Sequence, residues 1–395
     1  MWSDEEHIRS FRMHVHHLDR MLPAGSLKEA AFIGFQNSPP GIWEIAAFQR
    51  VEGITRTQLQ QALIEERSLL QAWSIRGVPL VFPSEDVAVF LTSLIPQADE
   101  KPWIYTDGLR AALTQLDLSF EELLSWLSAC ISMLDTAVIV RKEALDQRLA
   151  SLMEPLLPPS RRALWRSPSP YDPKGKQLLG EAVVSFLLRP CAHMGKVVFG
   201  ARQEEGVSFL SLRAWLPALD PLPPCDPSRL VRRFLHAYGP SDRHCFQKWL
   251  GGSTRQARRL WTGVEASLVE VEVMGKKRYL LREDLEEWKQ AAPLTGKLQL
   301  LAAHDPYLEL RDREVLLASS SLQKQVWRIQ GNPGALLRDG AVIGSWRMRT
   351  QAERIQMTLT LFEAISAKEC QRLCEEAEKL AAFLGRSLSD LQIHT

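Results

Sequence analysis

The stretch from Asp220 to Leu281 limits what this chain can fold into more than any other. It opens on a proline-rich linker, Asp220-Pro221-Leu222-Pro223-Pro224, which sets the next sixty residues apart. Helices are then expected at Ser228–Ala237, Asp242–Leu250 and Thr254–Trp261, the last capped by Ser253. Leu268-Val269-Glu270-Val271-Glu272-Val273 next alternates apolar and charged residues, the period of a half-buried strand. Met274-Gly275-Lys276-Lys277 turns the chain and Arg278-Tyr279-Leu280-Leu281 returns it. Three short helices closed by a hairpin make a winged-helix unit.

A second such unit opens the chain. Ser26 is expected to cap a helix over Leu27–Phe35, with Glu29 as capping-box partner, and Pro39-Pro40 ends it. A helix at Ile42–Phe48 and one capped by Thr55 come next, then a strand over Ser68–Ile75, a turn at Arg76-Gly77 and a strand over Val78–Phe82. Residues 107–215 are expected to hold a third, degraded unit. Its helices fall near Leu118–Trp126 and Gln177–Leu188, its strands at Lys196–Phe199 and Val207–Leu212, and Leu156–Lys176 is an irregular loop. Beyond residue 293 the pattern turns β-rich, with strands at Leu298–Leu301, Tyr307–Leu310, Ala341–Met348 and Arg354–Leu361 and a closing helix capped by Ser366. The fold class is therefore mixed α/β. The expected domains are 1–100, 101–220 and 221–292, each a winged-helix unit, and 293–395, a barrel-like β segment with a closing helix, with strands confined to about 294–363.

Composition narrows the function. An apolar share of 45% supports sizeable cores in a 395-residue chain. Lys+Arg at 48 against Asp+Glu at 47 excludes a histone-like polycation. No apolar run is long enough to span a membrane, and the start MWSDEEHIRS lacks the basic region and apolar core of a signal peptide. The six cysteines are scattered without a C-x-x-C pair, which fits reduced thiols in a cytoplasm.

Charge is concentrated locally. Residues 226–282 carry twelve Lys or Arg against five Asp or Glu, an excess of seven in a chain whose net charge is +1. Such a field attracts phosphates. Arg255, Arg258 and Arg259 stand on the third helix, the element that enters a groove in helix-turn-helix proteins, and Lys276, Lys277 and Arg278 stand on the wing. They are the expected nucleic-acid contacts, the alternative being a solvated basic face. His14-x-His16-His17 has the look of a metal tract, but neighbouring Asp19 alone does not complete a ligand set. A surface helix is the expectation there, with no metal and no cofactor. No phosphate-cradling glycine loop, nucleophile elbow or zinc-protease motif occurs. The twelve tryptophans, Trp43, Trp126, Trp249 and Trp261 among them, fall mostly in apolar helical patterns and are expected in cores.

Seven strings in order resemble the AlkZ/YcaQ-like winged-helix DNA glycosylases. They are Ile33-Gly34-Phe35-Gln36-Asn37-Ser38, Glu65 to Gly77, Phe209 with Trp215-Leu216-Pro217, and Leu230 to Pro240. His304-Asp305-Pro306-Tyr307-Leu308 with Arg311-Asp312-Arg313, Asp339 to Trp346, and Glu378 to Leu384 complete the set. The resemblance implies three tandem winged-helix units in a C shape followed by a β-barrel. It also implies a cytoplasmic, monomeric, monofunctional glycosylase that hydrolyses the N-glycosidic bond of alkylated, including crosslinked, bases in double-stranded DNA. The family signature is Gln-x-Gln or Gln-x-Asp, which positions the hydrolytic water at the sugar's anomeric carbon. Gln36 matches its first position; Ser38 stands at the second and departs from it. Serine's hydroxyl reaches less far than a carboxamide and is no base near neutral pH. Asn37 is a substitute if the loop shifts register, and Asp305 either approaches the site or caps the turn before Pro306. A non-enzymatic DNA-binding protein, a regulator or damage sensor that kept the fold, is the alternative function.

Overall fold

The computed structural model describes residues 3–97, 99–100, 104–172 and 174–394, with backbone alone for 104–107. The chain forms two compact units, one of residues 1–61, 231–249 and 261–395, the other of 62–230 and 250–260. Helices and strands alternate through both, a mixed α/β fold. Among the described residues no helix is long and apolar enough to cross a membrane.

In the second unit, five strands run in the order Pro79–Pro83, Leu69–Trp73, Val198–Gln203, Gly206–Leu210, Ile139–Val140. Leu69–Trp73 pairs antiparallel with Pro79–Pro83 around the turn expected at Arg76-Gly77. The Trp73 ring stacks on Phe209 at 5.5 Å and abuts Phe199 at 4.5 Å. They belong to a core shared with Leu109, Leu123, Leu149, Val183 and Leu187, supplied by four helices. Two of those, Ile104–Leu116 and Lys142–Met153, were not evident in the sequence. The expected loop at 156–176 contains a helix, Pro159–Trp165. Pro159 is harmless at its first position, where the missing N–H has no partner to lose.

In the first unit, Ser228–Tyr238, Arg243–Leu250, Thr254–Thr262 and the hairpin Leu268–Val273 with Lys276–Leu281 lie where the pattern puts them, although part of the third helix falls in the other unit. Phe234, Phe246, Trp249 and Trp261 form an aromatic cluster among these elements. Gly239 is required by close packing, since a Cβ there would sit 2.5 Å from the Leu235 carbonyl oxygen. Arg12, 1% exposed, fastens the N-terminal helix Asp4–Val15 to this turn by donating to the Tyr238 and Gly239 carbonyls while pairing with Asp312 at 2.7 Å.

The β-rich segment is an open five-stranded sheet, which corrects the barrel-like expectation. Its order is Ser387–His394, Arg354–Leu361, Ala341–Gln351, Gly334–Arg338, Leu298–Leu301, parallel only between the first two. Closure is unnecessary because the helix Ala367–Phe383 covers the apolar face, burying Leu373, Ala377 and Leu380 against Leu300, Leu336, Ile355, Met357 and Leu359. Tyr307–Leu310 is not a strand: Pro306–Glu309 is a 3-10 turn capped by Asp305. Strands also reach beyond 363, to His394. At the other end of this unit, the expected helix Leu27–Phe35 stops at Ala30. Ser26 makes no side-chain cap, and the chain turns through Gly34 into a short strand, Phe35–Gln36.

Candidate active site and nucleic-acid contacts

The Gln36 loop is built between that short strand and the helix Ile42–Phe48. Asn37 Oδ1 accepts from the Gly41 N–H at 2.6 Å, closing the loop, and Gly41 takes φ 91°, a conformation suited to glycine. Asn37 is therefore committed to loop geometry. Gln36 is 8% exposed, and its Nε2 donates to the Ser38 carbonyl at 3.4 Å. That distance marks a weak bond, easily exchanged for a better partner. The Ser38 side chain is exposed. A buried carboxamide thus stands next to an exposed hydroxyl, with no carboxylate contributed by the loop itself.

Behind the loop lies a buried ion pair. Asp305 receives two hydrogen bonds from Arg50, at 2.7 and 2.8 Å, and its side chain is wholly buried. It also accepts from the Tyr307 N–H at 2.9 Å, the turn-capping role. Arg50 in turn donates to Ala46 O within the Ile42–Phe48 helix and lies 5.6 Å from the centre of the Phe35 ring. Asp305 thereby acts on the loop through Arg50. Glu44, on the same helix, is buried and holds Arg56 at 2.6 Å and Gln60 at 2.8 Å.

The expected nucleic-acid contacts divide by burial. Arg259 makes two hydrogen bonds, at 2.5 and 2.9 Å, to Glu100, whose side chain is 2% exposed. Arg278 is largely buried against Asp242. Arg255 pairs with Asp99 at 3.0 Å, Lys277 with Glu270 at 2.9 Å and Lys276 with Glu314 at 3.8 Å, all through exposed side chains. Arg258 is exposed. Asp99, Glu100 and Glu314 lie outside the segment whose charge was counted, so the local excess is partly neutralised by distant acids. Surface pairs of this kind are weak, whereas Arg259 and Arg278 are held against carboxylates with little solvent access.

The histidine tract is not a surface helix. His14 stands in the last turn of the N-terminal helix, and His16, just past its end, is 1% exposed with Nε2 against the Ala237 carbonyl at 3.0 Å. Burial holds its pKa well below the usual value, and burial pushes His17 down to about 4.

The description "DNA glycosylase AlkZ-like" matches residues 30–383. The chain belongs to this family. Its members are DNA glycosylases, enzymes that act on damaged bases. A curated relative, an interstrand DNA cross-link repair glycosylase of Streptomyces sahachiroi, is 26% identical over 344 residues, spanning 82% of this chain and 80% of its own. The solved Streptomyces sahachiroi DNA glycosylase AlkZ matches with TM-score 0.76 and 21% identity over all of both chains, a likeness of fold. With the AlkZ-like family established, the buried Gln36 loop is the candidate active site of a glycosylase.

Proposed function

We propose that this protein hydrolyses the N-glycosidic bond of alkylated bases in double-stranded DNA, crosslinked ones included, with Gln36 orienting the water. The observation that carries this is the buried Gln36 carboxamide, held by one long hydrogen bond in a loop braced by Asn37 and Arg50. A carbonyl dipole so placed stabilises developing positive charge on the sugar and aligns the attacking water. Ser38 is the altered partner, able to hydrogen-bond a water without deprotonating it. Arg255, Arg258, Lys276 and Lys277 hold phosphates, with Arg259 and Arg278 supporting their elements. The helix-and-hairpin segments 1–100, 101–220 and 221–292 are tandem winged-helix units in this reading, and 293–395 is the β domain. The protein works as a monomer in the cytoplasm, and its hydrolysis uses no cofactor.

The crosslinked substrate is suggested by the name of the Streptomyces sahachiroi relative. The non-enzymatic alternative rests on one residue, Ser38 in place of Gln or Asp. Incubation of the purified protein with duplexes carrying a 7-alkylguanine or an alkyl crosslink, followed by scoring of abasic sites, separates the two. Excision is expected. DNA binding without any abasic product would favour the sensor.

A further inference from the structure

We propose that His236, Asp284 and Glu287 form a binding site for a divalent transition-metal cation of the zinc type. Three sequence-distant pieces of one compact unit meet here. His14 comes from the N-terminal helix, His236 from Ser228–Tyr238, and Asp284 and Glu287 from one face of the turn that starts Leu285–Gln290. Donor atoms of His236, Asp284 and Glu287 all lie within 4.8 Å of one another. His236 Nδ1 is 2.9 Å from Asp284 Oδ1, and His14 Nε2 is 3.0 Å from Glu287 Oε1. The second observation is an orphan. Asp284 is 5% exposed, yet its Oδ2 has no hydrogen-bond partner among the described residues. A buried carboxylate oxygen left unpaired is costly, and a cation satisfies it.

The donor set selects the metal. One imidazole with two carboxylates, and water in the fourth position, suit zinc or its neighbours, while magnesium and calcium prefer all-oxygen shells. His14, 3.0 Å from Glu287 Oε1, orients that carboxylate from outside the donor group. Asp19, 2.8 Å from His14 Nδ1, fixes the His14 ring in turn. His236 also packs edge-on against Phe32 at 5.5 Å, four residues before Gln36, so the metal would brace the segment that leads into the loop.

The test is metal binding, which does not depend on excision. The full chain, stripped with a chelator, is titrated with Co2+ and followed by its visible absorption. One Co2+ per chain with bands of a four-coordinate centre, displaced by Zn2+, is expected. Asp284→Asn and Glu287→Gln should each weaken binding by at least the roughly 10–100-fold seen on losing an outer partner. His244→Ala, at an exposed histidine outside the cluster, should change nothing. Because the Glu287 side chain is 38% exposed, Glu287→Gln keeps the fold even if Asp284→Asn does not, as circular dichroism will show. Absence of stoichiometric binding by the wild type overturns the site, as does binding unchanged in folded Glu287→Gln.

Discussion

The Gln36 loop and the basic helix Thr254–Thr262 with the hairpin after it both rely on pairs of Arg or Lys with carboxylates, at opposite degrees of solvent access. Behind the loop, Arg50 and Asp305 are 1% and 0% exposed, and the pair serves as framework for the residues around it. Arg255 is 67% exposed and Lys277 76%, so both of their pairs lie open to solvent. The difference teaches that charge type says little about role; burial separates pairs that hold the fold from pairs that add little to it.

The largest expected effect lies on the buried side. Asp305→Asn keeps the shape but leaves the Arg50 charge uncompensated, and breaking such a pair costs about 3–5 kcal/mol. Chemical denaturation should show the midpoint falling by a corresponding amount. A variant as stable as the wild type would erase the contrast between the two regions. Next comes the loop itself. Loss of one well-aimed dipole costs roughly 10²–10³ in rate, so Gln36→Ala should nearly abolish excision in single-turnover assays while DNA affinity and folding persist. Excision that survives this change would move the chemistry away from Gln36.

A smaller effect concerns a buried histidine. Burial lowers the His193 pKa to about 3, against an ordinary value of 6.5. Between those values the unfolded chain takes up the proton and the folded chain does not, so the native state is penalised as pH falls. Stability contributed by the neutral ring is present above pH 6.5 and lost progressively toward pH 3. Replacing His193 with Gln should flatten that part of the stability–pH curve; a curve of unchanged slope would show that His193 does not set it.

Much of the fold was legible in the sequence where the signal is local. The helix at Ile42–Phe48, the Thr55 and Ser366 caps and the hairpin around Met274-Gly275 all come from spacing and turn chemistry, which need no tertiary partner. The failures are tertiary. Ser26-Leu27-Lys28-Glu29 carries a capping-box pattern, yet the chain leaves the helix to bring Phe35 and Gln36 into a strand. Tyr307 looks like a strand residue but is held by its hydroxyl to the Gly340 carbonyl. The partners that neutralise Arg259 and Lys276 lie 159 residues and 38 residues away, beyond any local charge count. The family strings were informative for a related reason: Arg12, which has no place in them, binds Gly239 and Asp312, which do.

The smallest effect on the fold, and the sharpest test of the exposed side, is reversal of Lys276 and Lys277. Both are exposed on the wing and engage Glu314 and Glu270 only through solvent-exposed pairs, so the melting temperature should hardly move. DNA binding at this hairpin, as proposed, would require their release from those acids. Each phosphate contact on duplex DNA adds about 0.9 to the slope of log affinity against log salt, and losing two should flatten it by about 2. Affinity should fall alike on every sequence, because phosphate contacts carry no base information. Arg259→Ala is the matched control: it strips the nearly buried Glu100 of its partner, and should lower stability more than it changes the salt slope. If instead Arg259→Ala flattens the slope and the wing reversal leaves it intact, burial has been misjudged as the criterion and the DNA surface runs along the third helix without the wing.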